Sequence, residues 1–264
     1  MLSRCGFRIA DAEVGELGPG DSIGCGLASL LSGAKRYVGL DVVPFAVKTN
    51  REQLFGDLVR LYAAKDPIPD HNEFPYVRPQ LQSYDFPTDL IEWQNFSTRV
   101  EKVRSELQAG LATGQMVKYL APWTASEVVA TERFDLIFSQ AVLEHTEGLE
   151  SIYQNMFSLL KPGGYASHVI DFGCHHLAPL WNGHWAYSAW EWQLVRGSRE
   201  FLINRVPLSA HLTYARNAGF EVLLVEREEN AKGFSPQVLA QYCPTINPDD
   251  AQTRTALVLL RKSV

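Results

Sequence analysis

The stretch AEVGELGPGDSIG, Ala12 to Gly24, decides how this chain folds. Its first half, Ala12 to Gly18, is a short extended run that breaks into a glycine-rich turn. Ile23 to Ser32 then follows with apolar residues at helical spacing. Gly33 stops that helix, and KRYVGLDVV, Lys35 to Val43, supplies a second strand with Asp41 near its C-terminal end. A right-handed crossover lays the two strands parallel and adjacent.

Working outward, the alternation resumes at Gln115: strand QMVKYLAPW, strand FDLIFSQ, a helix from about Leu149 to Leu160, the turn KPGG and strand YASHVIDF. Ser209 reads as the N-cap of a helix that ends at Gly219, and FEVLLVERE and TALVLLRK are the last two strands. Strands separated by helices give a doubly wound α/β fold with a mostly parallel seven-stranded sheet. Residues of about 44–110 interrupt the pattern between the second and third strands. Two helical segments, Phe45 to Lys65 and Thr88 to Ala109, flank the Pro-rich DPIPDHNEFPYVRPQ. Leu54, Leu58 and Leu61 recur at helical spacing, so this stretch reads as a helical insertion acting as a lid or wall. The whole of 1–264 reads as one domain.

Composition narrows the function. With 264 residues, 46% apolar and 20% charged, the chain buries a sizeable core. A net charge of −6 with scattered Lys and Arg argues against a nucleic-acid partner. The densest basic group, Arg99, Lys102 and Arg104, is interleaved with Glu101 and Glu106 as on a solvated helix face. Cys5, Cys25, Cys174 and Cys243 lack zinc-site spacing and fit a reduced cytoplasm. The N-terminus has no signal-peptide core, and no run approaches the ~20 apolar residues of a membrane span.

Chemistry enters at Glu16 to Gly24, where three glycines stand as GxGxxxG between strand and helix. Glycines let the backbone approach a ligand, and the helix start offers free N–H groups. A dinucleotide site wants GxGxxG with an acidic residue about 20 positions on, a demand Asp41 meets. The third glycine, however, comes one residue late, and Glu16 and Asp21 set carboxylates beside the turn, where they repel a pyrophosphate. A ligand with a cationic sulfonium and an amino group but no phosphate removes that conflict.

ELGPGDSIG with Asp41 after the next strand, FDLIFSQAVLEH later, and LKPGG before another strand resemble the ordered motifs of class I S-adenosylmethionine-dependent methyltransferases. The VLEH segment is similar to one broad group of them. The resemblance covers about residues 12–45 and 115–172. It implies a Rossmann-like sheet and S-adenosylmethionine as cofactor. It further implies that Glu16, Gly18 and Gly20, with Asp21 beside them, line the methionine part of the cofactor. Asp41 would hold the ribose hydroxyls, Trp123 would border the adenine, and Ser139 and Gln140 would approach the cofactor at the end of the fourth strand. Family members often carry a covering helix before the first strand, and only about a dozen residues precede it here.

The acceptor side is expected beyond the carboxyl ends of the strands. Glu144 and His145 follow the fourth strand, where they also suit a structural hydrogen-bonding role, and His168, Asp171, His175 and His176 lie in or after the fifth. Histidine titrates nearest neutrality, so His175 and His176, with Asp171 to orient one of them, are the acid/base candidates. The same residues offer metal-ligand types, but without a compact ligand motif no metal is expected. In Leu177 to Val195 the flat rings of Trp181, Trp185, Trp190 and Trp192 suit a sugar or another amphipathic acceptor, and equally a packed core. His184, Trp185, Asn204 and Arg205 are the candidate acceptor contacts, Arg205 for an anionic group. The ELGPGDS and NGHW segments together are similar to methyltransferases associated with bacterial polysaccharide synthesis, which favours a small-molecule or glycan acceptor and O-methylation. The alternatives are an NAD(P)-dependent oxidoreductase and an S-adenosylmethionine-binding protein without catalysis.

Overall fold

The computed structural model describes residues 2–75, 80–111, 114–124, 128 and 133–263. Seven strands run β1 (Glu13–Leu17), β2 (Arg36–Leu40), β3 (Val117–Leu120), β4 (Phe134–Gln140), β5 (Leu160–Asp171), β6 (Phe220–Glu229) and β7 (Thr253–Lys262). They make one sheet in the order β3-β2-β1-β4-β5-β7-β6. The chain divides into two compact units, residues 1–140 with 158–167, and residues 141–157 with 168–263.

In the first unit β1 lies parallel to both β2 and β4, with Glu16 opposite Gly39 and Phe138, and β3 pairs parallel with β2. Four of the five residues in each of β1 and β2 are buried, as expected where helices cover both faces of a parallel sheet. Helix α1 (Gly24–Ser32) buries Gly26, Leu27, Leu30 and Leu31. Gly26 sits where an added Cβ would come within 2.1 Å of the Tyr37 ring, so only glycine lets helix and strand approach this closely.

The insertion forms α2 (Arg51–Ala64) and α3 (Phe96–Ala109). The Asn50 side chain caps α2 by accepting from the Gln53 N–H at 3.2 Å. Phe55, Leu54, Leu58 and Tyr62 pack with Leu27, Leu30 and Leu31 of α1 and with Val100, Val103 and Leu107 of α3, a wall over one face of the sheet. Leu61 is 37% exposed and stands off this stripe, because the stripe is centred on Phe55 and Tyr62 and Leu61 lies about 100° or more around the helix from both. The basic cluster on α3 is also more than a solvated face. Arg99 donates to the Leu31 carbonyl at 3.1 Å, and Glu106 Oε2 accepts the N–H groups of Met116 and Val117 at 2.7 and 3.0 Å. Part of the Pro-rich connection, 76–79, lies outside the described residues.

Helix α4 (Leu149–Leu159) leads straight into β5. LKPGG is therefore included in the span of a strand rather than standing before it, and Gly163 takes φ 79° there. The second unit also holds α5 (Ala189–Arg196), α6 (Leu208–Asn217), α7 (Pro236–Tyr242) and α8 (Pro248–Gln252), and its β6 and β7 pair antiparallel. Pro207, not Ser209, occupies the N-cap of α6. The N–H and hydroxyl of Ser209 donate instead to the buried Asp250 carboxylate at 2.9 and 2.5 Å, a long-range anchor that local pattern does not reveal.

Candidate active site

The glycine-rich turn joins β1 to α1. Gly18 and Gly20 adopt φ of 61° and 64°, the left-handed region, and a Cβ on Gly20 would meet open space. The turn is closed by Asp41, whose Oδ2 accepts the Gly20 N–H at 3.1 Å while Oδ1 accepts that of Val42 at 2.8 Å. An ionised carboxylate offers about four lone-pair sites, so acceptor capacity remains for hydroxyl donors. The Asp41 carbonyl accepts the backbone N–H of Trp123 at 3.2 Å, which brings that half-buried residue to the acidic end of β2.

Glu16 is 5% exposed at the end of β1. Burial pushes its carboxyl up to about 7, the hydrogen bond from Tyr37 opposes this, and Asp41 adds to it. The Tyr37 hydroxyl donates to Glu16 Oε2 at 2.6 Å. A buried carboxylate whose hydrogen-bond partner is a neutral phenol is a place where a cationic ligand group gains. Asp21 is exposed on the turn, and its carbonyl accepts from the Thr49 hydroxyl. At the end of β4, Ser139 is buried and Gln140 exposed.

In the second unit, Glu144 and His145 sit on a 3-10 turn, Leu143–His145. Glu144 is 3% exposed. Burial raises its carboxyl to about 7, against hydrogen bonds from backbone N–H groups. One of these is the Asp171 N–H, 3.2 Å from Oε1, and Oε2 is buried with no hydrogen-bond partner among the described residues. Asp171 Oδ2 lies 3.3 Å from His175 Nε2, and its Oδ1 accepts the Gly173 N–H at 2.7 Å and also pairs with Arg254. Burial would raise Asp171, but these partners outweigh it and hold the carboxyl below its usual range. The bond to Asp171 raises His175 in turn. His175 and His176 both have left-handed backbone, at φ 46° and 66°.

The aromatic segment is folded into this unit rather than displayed as a flat face. His184 is 2% exposed and Trp185 3% exposed, while Trp190 is 67% exposed. Burial lowers His184 to about 3, so the ring is neutral. Arg205 donates to the carbonyls of His184 and Tyr187 at 3.3 and 2.6 Å, and its guanidinium lies 5.2 Å from the Trp192 ring centre. The Asn204 amide donates to the carbonyls of Leu143 and Thr146 at 2.8 and 3.0 Å. A small cavity is lined by Glu144, Asp171, His184, Trp185 and Asn204.

Residues 124–167 match the family model described as a methyltransferase domain. Among solved structures, an S-adenosylmethionine-dependent methyltransferase from Mesorhizobium loti aligns with TM-score 0.51 at 14% identity, over 98% of this chain and 94% of that one. One from Methanosarcina mazei aligns with TM-score 0.52 at 13% identity, over 100% and 98%. No curated protein matches the sequence. At these identities the structural likeness speaks to the fold alone, and the family model matches a single segment of it.

A segment matching a methyltransferase-domain model thus lies within a fold shared with S-adenosylmethionine-dependent methyltransferases. S-adenosylmethionine is the cofactor named for these two structural neighbours. The turn of the first unit sets the Glu16 and Asp41 carboxylates near each other, a setting that favours a cationic ligand group, and the space beside Gly20 is open.

Of the cofactor residues read from sequence, Glu16, Gly20, Asp41 and Trp123 come together around the β1 and β2 ends through the bonds above, and Gly18 joins them by donating its N–H to the Leu40 carbonyl at 2.8 Å. On the acceptor side, Asp171 and His175 form a pair, and the cavity gathers three of the four expected contacts. His176 is exposed beside them. His168 is fully buried against Tyr153, with ring centres 6.4 Å apart, and burial lowers it to about 3. Tyr37 was missed as the partner of Glu16. Its place in β2, four residues before Asp41, was visible, but its bond to a strand 21 residues earlier was not.

Proposed function

We propose that this methyltransferase moves the methyl group of S-adenosylmethionine to a hydroxyl of a small-molecule or carbohydrate-type acceptor, with the whole chain acting as one catalytic module in the cytoplasm. The observation that carries the cofactor half is the pairing of buried Glu16 with Asp41 at the glycine turn, an acidic setting that favours a cationic sulfonium over a pyrophosphate. In this reading Glu16, Gly18, Gly20 and Asp21 meet the methionine part, Asp41 the ribose and Trp123 the base. Ser139 and Gln140 complete the floor.

Methyl transfer is an in-line displacement, so the protein's work is to orient the acceptor and exclude water. Oxygen is favoured over nitrogen because the second unit provides Asp171 and His175 for a group that must shed a proton, with His176 alongside. His184, Trp185, Asn204 and Arg205 build the wall of the acceptor pocket, the last two through their hold on backbone carbonyls. Among the described residues no helix is long and apolar enough to cross a membrane.

The test is transfer of labelled methyl from S-adenosylmethionine to a panel of monosaccharides, nucleotide sugars, phenols and amines. Label in a hydroxyl acceptor, with turnover cut at least 10-fold in His175→Ala, is the expected result. Label only in amines overturns the O-methylation reading, and unchanged turnover in His175→Ala removes that residue from the chemistry.

A further inference from the structure

We propose that Glu144, His145 and His175 form a binding site for a first-row divalent cation of the zinc type. The inference rests on the acceptor-side reading of this cluster and changes the part of His175 in it from proton acceptor to ligand, since a ring with one nitrogen on Asp171 and the other on an ion has no lone pair left for a proton. One ligand atom from each of the three residues lies within 4.8 Å of the others. A carboxylate with two imidazoles is the donor set that binds zinc and its neighbours while leaving coordination positions open.

The second observation is independent of that spacing. Glu144 is 3% exposed and its Oε2 has no hydrogen-bond partner among the described residues, whereas Oε1 takes the Asp171 N–H at 3.2 Å. An orphaned carboxylate oxygen inside a protein is costly, and a cation removes the cost.

Both rings are held from behind in the manner of metal ligands. His145 Nδ1 lies 2.8 Å from the Phe201 carbonyl. A carbonyl only accepts, so Nδ1 carries the proton and Nε2 bears the lone pair. His175 Nε2 faces Asp171 Oδ2 at 3.3 Å, and Asp171 is itself fixed by the Gly173 N–H and by Arg254, so Nδ1 of His175 bears the other lone pair. The two ring centres are 5.2 Å apart. The left-handed backbone at His175, φ 46°, is the kind of conformation that persists where a function holds it. Its side chain is 34% exposed, which gives an ion a way in. With one carboxylate and two neutral imidazoles, a divalent ion keeps a net positive charge and attracts an oxygen ligand.

The experiment titrates Co2+ into full-length protein freed of metal by a chelator, following visible absorption bands, and then displaces it with Zn2+. One Co2+ per chain, displaced by Zn2+ and weakened on the order of 100-fold in both His175→Ala and Glu144→Gln, is the expected result. Substituting the exposed His71 by Ala leaves Co2+ binding unchanged. S-adenosylmethionine is titrated into the same samples. Absence of Co2+ binding in protein that still binds S-adenosylmethionine overturns the cation site and leaves the methyltransferase reading standing. Binding of Co2+ that survives both substitutions overturns it equally. Because His175 is partly exposed, its variant stays informative even if Glu144→Gln fails to fold.

Discussion

Replacing Glu16 by Gln should make the cofactor-free protein more stable at neutral pH while weakening cofactor binding. Glu16 has a folded pKa of about 7 against an ordinary 4.5, with burial as the main cause. The folded state therefore holds a proton that the unfolded chain has lost between those two values, and stability falls as pH rises through that window. The penalty is absent below 4.5, grows between 4.5 and 7, and is complete above 7. A rise of this size corresponds to about 3 kcal/mol, since each pKa unit is about 1.4 kcal/mol. Glu16 is 5% exposed, so screening by water removes little of it. Gln keeps an oxygen to accept the Tyr37 hydroxyl and loses only the charge. Urea denaturation of wild type and Glu16→Gln from pH 5 to 8 should show a stability gain for the variant that grows to roughly 2–3 kcal/mol by pH 7.5. Saturating S-adenosylmethionine should reverse the order, because the ionised carboxylate then faces a cation. A gain that does not vary with pH, or a variant less stable at pH 7.5, would refute the reasoning.

Other consequences follow from single contacts. Tyr37→Phe removes the donor to Glu16, so the pH at which S-adenosylmethionine affinity rises should move upward, with affinity at pH 7 weaker by on the order of 10-fold, or about 1.5 kcal/mol for a hydrogen bond to a charged group; an unchanged pH profile from calorimetry counts against it. Gly26→Ala drives a methyl group into the Tyr37 ring, 2.1 Å from the built Cβ, and should lower stability by about 1–3 kcal/mol in thermal or urea melts. Asp250→Ala strands the Ser209 N–H and hydroxyl and should cost about 1–3 kcal/mol, read as a lower unfolding midpoint; a neutral variant means that water replaces the carboxylate.

The parts of this protein legible in its sequence are those that local chemistry dictates. The run from Ala12 to Val43 declares strand, turn, helix and strand because its apolar residues change period at glycines, and the carboxylates beside the turn select against a phosphate. FEVLLVERE and TALVLLRK are plainly extended from their apolar and β-branched content. What was not legible depends on partners distant in the chain. Ser209 looks like a cap because capping is a local pattern, yet it answers to Asp250, 41 residues on. Leu61 has helical spacing but lies off the stripe that α1 and α3 select, which runs through Phe55 and Tyr62. The basic residues of α3 look solvated until the Leu31 carbonyl is found beside Arg99. Likewise Glu144 reads as one letter of a motif, and only folding brings the Asp171 N–H and His175 to it across a gap of 27 residues and more.

The central claim is that the acidic glycine turn binds S-adenosylmethionine. Titration calorimetry of S-adenosylmethionine, S-adenosylhomocysteine, NAD and NADP against wild type and Asp41→Ala tests it most directly. Binding of the first two alone, weakened at least 10-fold by the substitution, is expected; selective binding of NAD or NADP, or S-adenosylmethionine binding indifferent to Asp41, would contradict this assignment.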